Sequence, residues 1–342
     1  MCASPSTRKT ATIRDVAEQA GVSIGTVSRY LNGYSLKQRN TERIERAIKD
    51  LGYKENFIAK GMKTRRTMTI GVAVPNLDAF HAGVLSLLDK ILSKRGYFIV
   101  LCDYEGDPTI LNSKLTFLYD RYVDGLIVSP IPGDVQVLEK YKQEQIPFVF
   151  FNDIWPGFAA DKVFVDNELA SGRAVEYLIQ MNHRKIGIVN GPMRFSTAAG
   201  RFAGFKRALR ERGARFEERW AREADWGSIA SGYSAGKSLL SQRDRPTALF
   251  AANYLLGVGV LHAVNELGLR IPKDLSFVSF DDSDIFQAYR PAITCIRQPL
   301  ELISESVAQL MIRRLGGDTD DFPNETVLQT SLILRDSVRL IE

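Results

Sequence analysis

The sequence predicts an all-α helix-turn-helix head followed by an α/β body of two doubly wound lobes. Residues 1–66 hold 14 Lys and Arg against 6 Asp and Glu, whereas the rest of the chain holds 31 against 34. A small basic segment therefore precedes a slightly acidic one, and its apolar residues recur at helical spacing. From Thr69 onward, short β-branched runs alternate with amphipathic stretches, which is typical of parallel sheets with helical crossovers.

Length and composition set the class of protein. A chain of 342 residues exceeds a typical domain of about 100–150 residues, so two or three domains are expected. No apolar run approaches the roughly 20 residues that span a bilayer, and the N-terminus lacks the apolar core of a signal peptide. The three cysteines have no metal-binding spacing, and Cys102 and Cys295 lie in apolar runs as buried reduced thiols. We expect a cytoplasmic protein without membrane contact, metal or cofactor.

The basic head begins with two helix signals. The string T-I-R-D from Thr12 has the pattern of a capping box, and apolar residues follow it at helical spacing through Ala20. Gly21 and Val22 predict a turn, after which Ser23 can cap a second helix. That helix is expected to end at Asn32-Gly33, a helix-stop pair.

The second helix carries the expected DNA-reading surface. Val27 and Leu31 face inward, whereas an outward stripe follows the spacing i, i+1, i+4, i+5, i+8. The stripe consists of Ile24, Gly25, Ser28, Arg29 and Asn32. Short polar groups and one Arg suit a DNA major groove, where base edges must be approached closely. Near the starts of the two helices, Thr12, Ser23 and Thr26 complete the predicted contacts of the head with DNA.

The stretch GVSIG, residues 21–25, also fits the G-x-S-x-G pattern of a hydrolase nucleophile elbow. An elbow requires a strand before the serine, but the preceding DVAEQA shows no period-two alternation. No convincing partner is available among His81, His183 and His262. We interpret Ser23 as a helix cap and expect no catalytic residue. A third helix is predicted over residues 41–52.

The head carries the strings T-I-R-D-V-A-E-Q-A-G-V-S-x-x-T-V-S-R-x-L-N, A-I-x-x-L-G-Y-x-x-N and I-A-x-x-M. With these strings the sequence resembles the LacI/GalR family of bacterial repressors, and the resemblance extends over essentially the whole chain. The resemblance implies that Ile24, Gly25 and Arg29 are the main base-contacting residues. It also implies that residues 56–62 form a hinge helix, with Met62 as an apolar wedge in the minor groove. Gly25 offers no side chain, so base discrimination beneath it should be weaker or pass to Ile24.

The same resemblance implies a head over residues 1–67 and an effector-binding and dimerisation domain over residues 68–342. The protein would act at the bacterial nucleoid on a pseudo-palindromic double-stranded operator. The chain ends without a heptad tail, so a homodimer is expected rather than a tail-zippered tetramer.

The body repeats one architecture. IGVAVP, YFIVLCDY, DGLIVSP and FVFFND predict strands of one lobe, and KIGIVNG, TALFAAN and SFVSFDD predict strands of the other. The resemblance implies a periplasmic-binding-protein-like fold whose chain crosses between lobes near residues 166, 296 and 326. A near match to a P-loop at residues 231–238 lacks its first Gly and a leading strand, so we expect no phosphate site there.

Polar residues at strand ends form the candidate ligand site, because ligands bind at the carboxyl ends of strands in open α/β sheets. Asp281, Asn253 and Asn152 end three of the apolar runs, and Arg201 and Trp226 lie nearby in other loops or helix starts. Such side chains can grip hydroxyls and stack on a sugar face. Each also has a purely structural alternative: Asp281 as a helix cap, Arg201 in a surface ion pair, and Trp226 as a core residue.

The family resemblance favours the ligand site. Arg201 falls in the family's R-x-x-G-F motif and Asp281 in its Y/F-D-D motif, both of which contact effectors. The remaining matches to pocket positions are Trp226, Asn253, Phe80 and Asn152, with Gln298 at a hinge-side position.

Tyr254 and Asn152 stand where the family commonly has Asp, which predicts a less acidic pocket and admits a sugar acid with Arg201 as its counter-ion. The sequence thus predicts a repressor of carbohydrate-metabolism genes controlled by a sugar or sugar-acid effector. Two alternatives remain: a cytoplasmic solute-binding protein with a non-functional head, and an enzyme built on the two-lobed fold.

Overall fold

A computed structural model describes residues 11–31, 33–53, 66–131, 133, 136–155 and 157–342. The chain divides between Thr67 and Met68 into two compact units, Met1–Thr67 and Met68–Glu342. Within the described ranges, no helix is both long and apolar enough to cross a membrane.

The head contains helices α1 (Ile13–Ala20), α2 (Ile24–Leu31) and α3 (Gln38–Leu51), whose buried residues form one small core. The capping box is confirmed, because Thr12 N donates to Asp15 Oδ2 at 2.7 Å and Asp15 N donates to Thr12 Oγ1. Ser23 Oγ accepts from Thr26 N at 3.2 Å, which confirms Ser23 as a cap. A helix and not a strand precedes Ser23, so the nucleophile elbow is excluded.

Helix α3 begins at Gln38, earlier than the predicted start at Thr41. The residue before it, Lys37, makes no side-chain capping hydrogen bond. The prediction relied on the apolar spacing, which begins at Ile44, and no capping residue marks the earlier start.

Lobe 1 of the body is a parallel six-stranded sheet in the order β11-β5-β4-β3-β1-β2. Its strands are β1 (Thr69–Val74), β2 (Phe98–Asp103), β3 (Gly125–Val128), β4 (Phe148–Phe151), β5 (Asp161–Val165) and β11 (Glu325–Leu328). Its helices are α4 (Ala79–Ser93), α5 (Pro108–Tyr119), α6 (Val137–Gln143) and α12 (Leu300–Leu315).

Lobe 2 repeats the design with the strand order β12-β10-β9-β8-β6-β7, in which β12 is antiparallel to β10. Its strands are β6 (Ile186–Asn190), β7 (Ala221–Glu223), β8 (Ala248–Ala251), β9 (Ser276–Phe280), β10 (Thr294–Arg297) and β12 (Ser331–Ile333). Its helices are α7 (Asn167–Gln180), α8 (Ser196–Glu211), α9 (Ile229–Leu240), α10 (Tyr254–Glu266) and α11 (Asp284–Ala288).

The chain crosses between the lobes three times. The first crossing, at Asp166, and the second, between Arg297 and Leu300, agree with the expected positions near 166 and 296. The third crossing lies a few residues beyond the expected position near 326, because β11 stays paired with β5 through Leu328 and the chain crosses just after it. Asp166 ties two crossings together, since its Oδ1 accepts from both the backbone N and the Oγ1 of Thr330 at 3.0 Å.

The P-loop-like residues 231–238 lie entirely inside α9, and the side chain of Ser228 caps that helix. Lys237 Nζ donates to Glu266 Oε1 at 2.9 Å on the helix surface, as the sequence predicted. A phosphate cradle needs a strand–loop–helix turn, which this segment does not provide. Cys102 and Cys295 are buried free thiols, as expected.

A buried histidine anchors the C-terminal segment to lobe 2. His183 is fully buried, with Nδ1 2.9 Å from Thr247 Oγ1 and Nε2 3.2 Å from the carbonyl oxygen of Arg339. Burial disfavours the charged imidazolium and lowers the pKa of His183 to about 4.

This burial predicts a pH-dependent stability. Between pH 6.5 and about 4 the unfolded chain protonates His183 and the folded chain does not, so stability falls as the pH is lowered through that window. The loss should reach at most about 3 kcal/mol. In urea unfolding at pH 7 and pH 5, His183→Gln should lose less stability than the wild type. His262→Gln, at an exposed site, should behave like the wild type; equal losses for all three proteins would contradict the prediction.

Candidate DNA-binding surface and effector site

Helix α2 places its predicted base-reading residues on one exposed face. The Ile24 side chain is 45% exposed, Gly25 and Arg29 are exposed, and Ser28 is half-buried. A Cβ at Gly25 would meet only Ser23 Oγ, at 3.7 Å, so no packing within the head requires a glycine there. A missing side chain on an exposed face allows the backbone to approach another molecule closely.

Some of the other predicted DNA contacts lie in the described part of the head, and the rest lie outside it. Ser23 and Thr26 lie together at the start of α2, with Oγ and Oγ1 2.9 Å apart. Thr12 engages Asp15 within its own capping box. Asn32, Met62 and the expected hinge helix over residues 56–62 lie outside the described residues.

In the body, a cavity of about 30 Å³ lies between the two lobes, and we call it the inner cavity. It brings together every predicted effector residue: Phe80, Asn152, Arg201, Trp226, Asn253, Asp281 and Gln298. It also contains residues that the sequence prediction missed: Pro75, Asn76, Asp78, His81, Asp153, Phe195 and Thr197. Several of these follow strands β1 and β4, so the strand-end rule would have found them had it been applied to every strand.

Arg201 lies in the second turn of α8 and is only 3% exposed. Its Nε donates to Asn167 Oδ1 at 2.8 Å and its Nη1 to the carbonyl oxygen of Ala252 at 2.6 Å. The guanidinium lies 3.5 Å from the ring centroid of Phe280. Burial lowers the pKa of Arg201, and the nearby carboxylates of Asp281 and others oppose that shift. The surface ion-pair alternative for Arg201 is therefore wrong.

Asp281 follows β9 with φ +68°, a left-handed conformation that costs energy in a residue other than glycine. Its Oδ1 accepts from Gln298 Nε2 at 2.6 Å and its Oδ2 from the backbone N of Tyr254 at 3.2 Å. Burial raises the pKa of Asp281, while Arg201 acts in the opposite direction. Asn152 has the same conformation, φ +66°, at the corresponding strand end of lobe 1.

Asp153, next to the predicted Asn152, joins lobe 1 to the first turn of α8 in lobe 2. Its Oδ1 accepts from Ser196 Oγ at 2.8 Å and from the backbone N of Thr197 at 3.0 Å. Burial raises the pKa of Asp153, and these hydrogen bonds oppose the shift. The pocket thus contains the carboxyl groups of Asp78, Asp153 and Asp281. The prediction of a pocket less acidic than in the family, drawn from Asn152 and Tyr254, did not anticipate the carboxyl groups of Asp78 and Asp153.

The half-buried Asp78 and the buried His81 form a pair at the start of α4. Asp78 Oδ1 accepts from the backbone N of His81 at 2.9 Å and lies 2.8 Å from its Nδ1. Burial raises the pKa of Asp78, but the hydrogen bonds from His81 outweigh it, and the net shift is downward. The imidazole packs edge-on against Phe80 and Phe151.

Asn253 and Trp226 stabilise the fold as well as lining the inner cavity. Asn253 Oδ1 caps α10 by accepting from the backbone N of Leu256, and its Nδ2 donates to the carbonyl oxygen of Trp226. The indole of Trp226 contacts all three apolar clusters of the body, so its alternative as a core residue is also correct. A Cβ at Gly191 would lie 2.1 Å from the indole, so the ring lies directly on that glycine.

Comparison with known proteins identifies the family. Residues 12–56 match the bacterial regulatory proteins of the lacI family, and residues 175–338 match a periplasmic binding protein-like domain. The chain is 34% identical over 313 residues to the HTH-type transcriptional repressor PurR of Klebsiella pneumoniae (strain 342), covering 89% of this chain and 90% of that protein. The chain belongs to the lacI family of bacterial regulatory proteins.

Solved structures of the lacI family agree with this assignment. The Lac repressor dimer bound to operator and the anti-inducer ONPF is 26% identical, with a TM-score of 0.86 over 97% of this chain and 100% of that one. The CelR–cellobiose complex is 30% identical, with a TM-score of 0.73 over 96% and 99% of the two chains. The predicted fold class and the prediction of a DNA-binding repressor with a helix-turn-helix head and an effector domain are confirmed.

The contact between Gly191 and Trp226 gives a testable prediction. Gly191→Ala should displace the indole, lower the free energy of unfolding by roughly 1–3 kcal/mol and shift the tryptophan emission. At Gly227 an added Cβ would meet its nearest atom at 3.7 Å, so Gly227→Ala is the matched control beside the same tryptophan. Urea unfolding followed by fluorescence tests both variants. Equal behaviour of the two would show that the indole does not depend on Gly191.

Proposed function

We propose that this lacI-family repressor binds a pseudo-palindromic operator as a homodimer and that a neutral, hydroxyl-rich ligand between the lobes controls its operator affinity. The observation that carries this proposal is the inner cavity, whose polar side chains come from both lobes. A ligand that touches both lobes favours one arrangement of them over another. If operator affinity depends on that arrangement, the two binding sites are coupled reciprocally.

The chemistry of the inner cavity favours a sugar. Carboxylate and amide oxygens can accept hydrogen bonds from hydroxyls, and Phe80 and Trp226 offer flat apolar faces. Three carboxyl groups surround one guanidinium, which disfavours an anionic ligand and so a sugar acid. The likeness to the CelR–cellobiose complex supports the same choice. Regulation of carbohydrate-metabolism genes follows from this ligand class.

The small volume of the inner cavity sets a condition for ligand binding. About 30 Å³ is far below the roughly 300 Å³ of the smallest typical ligand pockets and holds no more than about a water molecule. A ring therefore enters only when the lobes or their side chains separate. Ligand binding at this place is consequently linked to movement of the lobes.

A purine base is the second candidate ligand. The relatives named PurR are 32–34% identical to this chain over most of its length. Phe80 and Trp226 could hold a planar ring, with Arg201 as donor and Asp281 as acceptor at its edge.

The homodimer has support from lobe 1. The edge strand β2 exposes 65% of Phe98 and 41% of Leu101, and helix α5 beside it exposes 43% of Phe117. Exposed apolar edge strands invite pairing with another chain. The similar Lac repressor structure is a dimer.

The assignment of the head predicts the effect of one substitution. Arg29→Ala should weaken binding to a DNA site selected from random sequence by about 1–3 kcal/mol and relax its specificity. The control Lys49→Ala removes an exposed charge from α3 instead. It should weaken selected and random DNA about equally. The measurement is a gel shift at two salt concentrations. If Arg29→Ala kept wild-type selectivity, α2 would not read the bases, and no selective binding at all would favour the solute-binding alternative.

The ligand assignment is tested by thermal denaturation of the full chain with neutral sugars, sugar acids, sugar phosphates and nucleobases. A ligand at about 100 times its dissociation constant stabilises the protein by roughly 2.7 kcal/mol. We expect a neutral sugar to give this shift, and Asp281→Asn or Arg201→Met to abolish it. Asp320→Asn, at an exposed site, should retain it. A shift given only by nucleobases would establish the second candidate in place of the first.

A further inference from the structure

A second and larger cavity adjoins the inner cavity. Its volume is about 350 Å³, and it shares Phe80, Asp281 and Gln298 with the inner cavity. The remaining lining residues are Ala79, Tyr254, Asp282, Ser283, Gln287, Arg297, Leu300 and Glu301. We call it the outer cavity. It lies against the second crossing between the lobes, where β10 leads into α12.

The two cavities differ in what they can hold. The volume of the outer cavity lies within the range of roughly 300–1,000 Å³ that is typical of ligand pockets. The volume of the inner cavity is about one tenth of that of the outer cavity. Because they share lining residues, a ligand with one ring against the inner-cavity residues has space for a second ring directly beside it.

The lining of the outer cavity is amphipathic. Phe80, Tyr254 and Leu300 supply apolar surface, while Ser283, Gln287 and Glu301 supply polar groups. At the boundary with the inner cavity, Gln298 Nε2 is committed to Asp281, and its buried Oε1 has no hydrogen-bond partner. A ligand hydroxyl at this boundary could donate to that oxygen.

The charges favour an uncharged second ring. Arg297 supplies the cationic group of the outer cavity, and it donates to Asp282 Oδ2 at 2.6 Å. Asp282 also accepts from Arg335 at 2.8 Å. Glu301 adds an exposed carboxylate. A phosphate or carboxylate group would therefore meet no cation among the lining residues that is not already paired with a carboxylate.

We propose that the outer cavity is the subsite for the second unit of a two-ring ligand, so that the effector is a neutral disaccharide or glycoside. The proposal rests on the proposed function, because it assumes that the first ring is a sugar bound by the inner-cavity residues. The second ring would lie against Gln298 and Leu300, which flank the crossing between the lobes. The outer cavity thus adds Arg297 and Leu300 to the contact that the inner cavity already makes, through Gln298, with the segment joining the lobes.

Calorimetry on the full-length protein tests the subsite with matched pairs of sugars. The probes are glucose against cellobiose and maltose, galactose against lactose, and xylose against xylobiose. We expect one disaccharide to bind at least tenfold more tightly than its monosaccharide. Glu301→Trp should fill the outer cavity from lobe 1 and remove this preference. Glu305→Trp, exposed one turn further along α12, should retain it.

A second variant tests the same subsite in case Glu301→Trp does not fold. Gln287→Trp fills the same cavity from α11 in lobe 2 and should remove the preference in the same way. If monosaccharides bind as tightly as their disaccharides, or if both tryptophan variants keep the preference, the outer subsite is wrong and the proposed sugar function stands. If no sugar binds and a nucleobase does, both proposals fail.

Discussion

The contact between the lobes at the inner cavity centres on the neutralisation of one buried guanidinium. A buried charge is costly unless hydrogen bonds and opposite charges offset its lost hydration. Arg201 of lobe 2 obtains its hydrogen bonds within its own lobe, but two of the carboxylates that favour its charge, Asp78 and Asp153, come from lobe 1. The charge balance is complete only when the lobes are together. A ligand that inserts polar groups here changes this balance directly.

The features that the sequence predicted correctly depend on residues close together in the chain or on the general geometry of parallel sheets. Capping residues such as Thr12 and Ser23 act within one turn of chain, and the sequence placed them correctly. The strand-end rule likewise selected Asp281, Asn253 and Asn152, which line one cavity because parallel strands bring their carboxyl ends to one edge. Phe80 and Gln298, which line the same cavity, were named only through the family resemblance.

The missed features depend on distant partners. Strand β5 begins with Asp161 and Lys162, which suggest a loop, yet Asp161 is buried in a 2.8 Å ion pair with Arg314. The pocket carboxylate of Asp153 was overlooked beside Asn152, because a sequence does not show that both of two adjacent polar residues line the same cavity. Asn152 adopts a left-handed conformation at this point, which only the surrounding tertiary structure holds in place.

The three crossings make the lobes inseparable along the chain. Residues after Leu328 complete the sheet of lobe 2, whereas β11 and α12 just before them belong to lobe 1. No single cut therefore yields an intact lobe, and loss of the last 18 residues, which begin at Glu325, would strip an edge strand from both sheets at once. The body must consequently be synthesised almost to its end before either sheet is complete, so the two lobes can only finish folding as one unit.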